Sequence, residues 1–469
     1  MTLTMPKNEP AAVTTSWRAL PVILLAQFLA VVDFFIVNVA LPSIGADLRA
    51  GPAGVQFVVA GYGLAYACCL VAGGRLGDAF GRRRLFVLGL AAFTLTSLLC
   101  GLAPSASALI AARVLQGVAA GAMVPQVLAT IQATYAGGMR ARALGLFGAT
   151  IGAGSVAGEL IGGVLLRADV AGTGWRAIFL VNVPLGIAGL FAARLVPQSR
   201  SSSPAPVDPR GALLLAGTLA LLLAPLSVGR ELHWPLWTIA ALLAVPLLGL
   251  ALWRDQRAAE RDERRAPMLP PSLLREPAVR RGLAVALLYF PTVGGFMFVF
   301  AVLAQSGLGW SPLRAGLGLT PMAAGFLVMS LAAARIVARR GGLAIVVGAW
   351  GFAAGLGVLA MQALLWYDRL SLLTVAPAML VTGLGGGLVM VPLFGAVLAT
   401  VPPQVAGAAS GALVTAQQAG LAAGVATVGS LFVAVAERSG WAGGAVTGLA
   451  ACAVLASACA VACARLPRR

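Results

Sequence analysis

The 469-residue sequence holds one histidine, one lysine and only 15 acidic residues. Those shortages exclude several kinds of function. His233, in a short loop, leaves no nucleophile–base constellation from which an enzyme could be built. The six cysteines, Cys68, Cys69, Cys100, Cys452, Cys459 and Cys463, form no C-x-x-C pair, so neither a metal centre nor a disulfide framework is expected. All six fall inside apolar segments, where a thiol packs as a small hydrophobe. Charged residues make up 10% of the chain and hydrophobic ones 60%, too little charge to clothe soluble domains of this length.

What is present is a series of apolar blocks, each near the ~20 residues that a helix needs to cross a bilayer. Fourteen can be read, the first near 19–41 and the last near 441–463. The expected fold is therefore all-α and membrane-embedded. The first block is too long for a signal-peptide core and reads as a retained helix. Fourteen spans put both termini on one side, and 25 of the 33 Lys and Arg residues fall there against seven on the other, with Arg113 inside a span. By the positive-inside rule the termini are cytoplasmic. The net charge of +18 thus reports topology and attraction to anionic lipid, and no nucleic-acid partner is expected. The near-exclusive use of Arg over Lys points to a GC-rich bacterial genome, hence a bacterial plasma membrane.

Two segments interrupt the pattern, a Pro- and Ser-rich stretch from Arg194 to Arg210 and a charged one from Arg254 to Arg281. They divide the chain into six helices (1–195), linkers with two extra helices (196–281) and six more helices (282–469). The halves repeat. GRLGDAFG at Gly74 to Gly81 aligns without gaps on ARIVARRG at Ala334 to Gly341, and Gln116-Gly117-x-x-x-Gly121 on Thr382-Gly383-x-x-x-Gly387. Parallel repeats of six helices about an axis along the membrane normal are a transporter architecture, with cargo held between the halves. Asp78 aligns with Ala338 and Arg113 with Met379, so coupling charge is to be sought in the first half.

Three ionisable residues lie well inside spans: Asp33, Arg113 and Glu159. Each costs about 2.5–3.5 kcal/mol at midspan on insertion scales, so each should face the bundle interior. Two carboxylates and one guanidinium leave one carboxyl poised to bind and release a proton. For Glu159 two roles stay open, a second proton site or a structural partner of Arg113. Gly148, Gly152, Glu159 and Gly163 share one face of their helix, and with Gly117, Gly158 and Gly162 they allow close helix approach. GGRLGDAFGRRR reads as a loop in which Gly74, Asp78, Gly81 and Arg82 form a conformational latch. Phe34, Asn38, Tyr62, Tyr66, Gln116, Phe296 and Gln417 are candidate cavity residues, with ordinary packing as the alternative for the aromatics.

These motifs resemble the major facilitator superfamily, and within it the fourteen-helix drug:proton antiporters. VVDFFIVNVALPSI carries Asp33 at the acidic position of that group's first-helix motif, and GRLGDAFGRRR matches the signature loop except that Ala79 replaces a basic residue. LIAARVLQGVAAGA is similar to the fourth-helix motif, whose arginine, here Arg113, the resemblance implicates in proton coupling. GELIGG occupies the place of the fifth-helix Gly-Pro-x-x-Gly-Gly motif, with Glu159 where proline is usual. WRAIFLVNVPLG and VPPQVAGAASGALVTAQQAG extend the likeness over nearly the whole chain. The resemblance implies export of a small hydrophobic or amphipathic compound by alternating access, driven by proton uptake, with no cofactor and a monomer in the bilayer. Uptake symport and a non-transporting sensor are the competing readings.

Overall fold

The structure, a computed structural model, describes residues 17–199, 208–229, 232–262, 265, 267–401 and 406–465. The chain ends, most of the first linker and part of the VPPQVAG stretch lie outside the described residues. The helices are α1 (Ala19–Asp47), α2 (Pro52–Phe80), α3 (Arg82–Gly101), α4 (Ala106–Thr134), α5 (Gly137–Ala168), α6 (Gly174–Leu195), α7 (Pro209–Val228), α8 (Leu236–Arg261), α9 (Pro277–Gly307), α10 (Pro312–Arg340), α11 (Leu343–Trp366) and α12 (Leu372–Ala399). No strand occurs among the described residues. Several helices open on side-chain caps: Ser105 accepts the Ala108 N–H at 3.2 Å, and Ser371 forms a capping box with Thr374.

Among the described residues thirteen stretches are long and apolar enough to cross a membrane, and the last of them, Gly411–Cys463, has 53 residues. At 1.5 Å per residue that is roughly 80 Å, more than twice a hydrocarbon core of ~30 Å. Gly440, at φ 77°, breaks it. The two resulting helices, α13 over 406–439 and α14 over 441–463, bring the spans to the fourteen that the sequence leads one to expect.

Helix pairings repeat with an offset of eight. Within the first half α1 packs on α5, α2 on α4, and α3 on α4 and α6; in the second, α9 packs on α13, α10 on α12, and α11 on α12 and α14. The contacts between halves obey the same operation, since α2 against α13 and α5 against α10 exchange under it. Local detail agrees. A Cβ at Gly117 would strike the Tyr62 carbonyl, and one at Gly383 would strike the Met322 carbonyl; Gly81 (φ 103°) and Gly341 (φ 58°) end α2 and α10 alike. This is the internal symmetry that the sequence matches foretell.

The two extra helices stand outside it. Helix α7 lies against α2 and α13, so it covers one of the two seams between the halves, while α8 packs on α7 and is otherwise exposed apolar surface, as at Leu236, Leu243 and Leu247. Their linker-side ends meet in a polar cluster. Buried Asp208 accepts from the Gly211 N–H (3.1 Å), Gln256 (3.0 Å) and Arg265 (3.0 Å), and Arg265 also reaches Asp255. Burial pushes the Asp208 carboxyl up, but these three hydrogen bonds outweigh it and hold the group below the usual aspartate range. Met268 and Arg75 tie this cluster to α2, Met268 by packing near Ala67 and Val71 and Arg75 by donating to the Pro267 carbonyl.

One local expectation is corrected. GGRLGDAFGRRR is not a loop: α2 stays helical to Phe80, Gly81 alone breaks the chain, and α3 starts at Arg82. Glycine and aspartate disfavour a helix only weakly, and close packing of Gly73 and Gly77 against α4 overrides them.

A buried ion pair and an unpaired acid

Asp33 and Arg113 meet. Both are fully buried, and Arg113 Nη1 donates to Asp33 Oδ2. The other carboxylate oxygen accepts from Gln116 Nε2 and Asn182 Nδ2, each at 2.9 Å, so α1, α4 and α6 converge on one carboxylate. Arg113 also donates through Nε to the Val58 carbonyl on α2 (3.1 Å) and through Nη1 to Gln116 Oε1 (2.8 Å). Its guanidinium lies 4.3 Å from the centroid of the Tyr62 ring and 5.6 Å from that of Phe179. A planar cation held between ring faces and a carboxylate is a role that lysine could not fill. Nη2 is buried and has no hydrogen-bond partner among the described residues.

Further hydrogen bonds steady this centre. Asn182 donates to Ser97 Oγ (3.1 Å), which donates to the Phe179 carbonyl (3.0 Å), and Tyr62 donates to the Ala30 carbonyl (3.1 Å). Gly117, one residue past Gln116, lets α4 press onto the Tyr62 carbonyl, which brings Arg113 within reach of α2. Ser97 and Asn182 escape a search by sequence. Each is an ordinary polar letter in an apolar run, although a lone Asn in a span, needing a buried partner, is a usable signal.

Glu159 does not join. It is half-buried on α5 and forms no hydrogen bond or ion pair among the described residues, so of the two acids it is Asp33 that pairs with Arg113. A Cβ at Gly316 on α10 would lie 3.5 Å from its Oε2. The glycines around Glu159 divide between two neighbours. Cβ atoms at Gly154, Gly158 and Gly162 would crowd Val31, the Val32 carbonyl and Ile36 of α1, whereas those at Gly148 and Gly152 would meet Val391 and Phe326 across the seam, and Gly163 has ordinary space beside Leu313.

At the ends of α2 and α3, Arg82 clasps Asp78 through Nε (3.1 Å) and Nη2 (2.8 Å) and donates to the Ala129 carbonyl of α4 (3.4 Å), while its own N–H donates to the Ser199 carbonyl. These bonds all stay within the first half and the segment just after it; Gly74 lies one turn earlier on α2. The cavity candidates scatter. Phe34, Tyr62 and Tyr66 form one aromatic row, with centroids 6.1 and 6.0 Å apart, Asn38 is exposed one turn along α1, and Gln417 is half-buried on α13. Tyr62 and Gln116 are buried in the ion-pair network instead of facing an opening. Phe296 corrects the expectation more fully, being sealed in the second half's core beside Phe300. An apolar cleft does lie where the halves meet, lined by Leu70, Val124, Leu128, Phe147, Gly411 and Val414.

Comparison with known proteins agrees with this fold. The family described as Major Facilitator Superfamily matches residues 23–425. The chain is 39% identical over 430 residues to a probable actinorhodin transporter of Streptomyces coelicolor, covering 90% of this chain and 73% of that one. It is 37% identical to the cephamycin export protein CmcT of Amycolatopsis lactamdurans (88% and 85% covered) and 36% identical to the puromycin resistance protein pur8 of Streptomyces alboniger (88% and 81%). Among solved structures, the human organic anion transporter MFSD10 superposes with a TM-score of 0.70 at 17% identity, over 95% of this chain and 99% of that one, which shows a shared fold.

Proposed function

The chain belongs to the major facilitator superfamily, and from that premise we propose that it is a proton-driven exporter of small hydrophobic or amphipathic compounds, of the antibiotic or secondary-metabolite kind. The relatives named for export of, or resistance to, such compounds support the direction of transport. The observation that carries the mechanism is the sealed Asp33–Arg113 pair in the half that has kept its charge. Protonating Asp33 removes its charge and slackens its hold on Arg113, a guanidinium that already has one unsatisfied nitrogen. Since α1, α2, α4 and α6 all bond to this pair, a change of partner there shifts four helices together. Each proton moving inward down the membrane potential contributes about 2.3 kcal/mol per 100 mV.

The 25-to-7 charge asymmetry supports cytoplasmic termini, which puts the Asp78–Arg82 clasp at the cytoplasmic end of the first half. In this reading the chain divides at about residues 195 and 281 into two moving bundles and an insert, works as a monomer and takes no cofactor beyond the proton gradient. The test is accumulation of a panel of dyes and antibiotics in cells with and without the gene, with and without a protonophore. Lower accumulation that the protonophore abolishes is the expected result. Higher accumulation in cells carrying the gene contradicts export, and export that survives the protonophore contradicts proton coupling.

A further inference from the structure

Resting on the export reading, we propose that Glu159 is the cargo-recognition acid of this protein, meeting a positively charged nitrogen or phosphorus centre on the compound it carries. The two midspan acids have opposite surroundings. Both oxygens of Asp33 are engaged by Arg113, Gln116 and Asn182, and the group is wholly buried, so no cargo can touch it. Glu159 has no hydrogen-bond or ion-pair partner among the described residues and is only half-buried. It stands at a similar depth, because a Cβ on its neighbour Gly158 would lie 2.9 Å from the Val32 carbonyl.

Its direction follows from helical phase. The exposed side chains Leu146 and Val164 mark the outward face of α5, and at about 100° per residue Glu159 lies about 140° away from them. It is turned toward α10, on the face it shares with Gly148 and Gly152, at the seam where the halves part during alternating access. An unpaired carboxylate in that position is costly when empty and favourable when a desolvated cation sits against it. A neutral cargo gains nothing from the charge, so the acid selects by charge.

The experiment compares wild type with Glu159→Gln and Glu159→Asp, using tetraphenylphosphonium as a permanent cation and Nile red as an uncharged ligand. Binding to the purified protein in detergent is measured by tryptophan fluorescence and export in cells by efflux. Glu159→Gln is expected to weaken tetraphenylphosphonium binding about tenfold or more, with Nile red binding and protonophore-sensitive Nile red efflux unchanged. Glu159→Asp should restore much of the cation binding. Equal loss of both ligands, or no loss of either, overturns the proposal, as does a wild type that exports Nile red but does not bind the cation. A wild type that exports neither compound, nor any other in the panel, refutes the export reading instead.

Discussion

Asp33 accepts from Arg113, Gln116 and Asn182 and is fully buried, so its partners are coupled tightly enough for single substitutions to mislead. Removing Arg113 leaves a buried carboxylate uncompensated, a change that in buried pairs costs about 3–5 kcal/mol. Arg113→Ala is accordingly expected to lower the thermal unfolding midpoint of the purified protein sharply, whereas Asp33→Asn with Arg113→Gln, which removes both charges and keeps polar side chains at both positions, should recover much of that stability. Neither variant should show protonophore-sensitive export. A double variant that still transports would remove the pair from the coupling mechanism. Asp33 and Arg113 are legible from sequence because charge in an apolar run is conspicuous. Their saturation by Gln116 and Asn182 is not, since an amide's partner depends on which helices become neighbours. Glu159 is the instructive contrast: charge counting suggests a place beside Arg113, but helix phase turns it to the seam.

At the scale of helices, small residues decide how closely neighbours approach, and the cost of enlarging them depends on what they meet. Gly117 faces the Tyr62 carbonyl, which is backbone and cannot step aside, while Gly163 has Leu313 at an ordinary 3.9 Å. Gly117→Ala should therefore destabilise the protein by about 1–3 kcal/mol, the usual toll of overpacking, and displace Arg113 from the Val58 carbonyl. Gly163→Ala should leave both stability and transport within error. Unfolding in detergent and efflux rates check both; a harmless Gly117→Ala would mean that α2 and α4 do not pack as closely as described. Span positions are readable from sequence because twenty apolar residues leave few alternatives, but helix ends are not. Near α2 the chain runs helical through Asp78, since packing of Gly73 and Gly77 on α4 supplies what local propensity withholds.

For the whole molecule, the pseudo-two-fold implies two seams, α2 against α13 and α5 against α10, that must open and close as the halves rock. The insert breaks their equivalence, because α7 covers the first seam and the linker after α8 is fastened to α2 through Met268 and the Arg75–Pro267 bond. Nothing in the sequence repeats foretells this, as the insert has no counterpart in either half. Both seams can be pinned by disulfides of ordinary span. A Cβ at Gly411 would lie 3.5 Å from that of Val71, and one at Gly148 would lie 3.7 Å from that of Ser330, both inside the ~3.5–4.5 Å that a disulfide requires. In a background without the six native cysteines, Val71→Cys with Gly411→Cys, and separately Gly148→Cys with Ser330→Cys, should each arrest efflux on oxidation and regain it with dithiothreitol. The four single variants should respond to neither treatment. Both bridges lie toward the end of the molecule where α2 and α10 finish and α5 and α13 begin. If an oxidised pair keeps exporting at the reduced rate, that seam does not part during transport, and the halves do not rock as the symmetry requires.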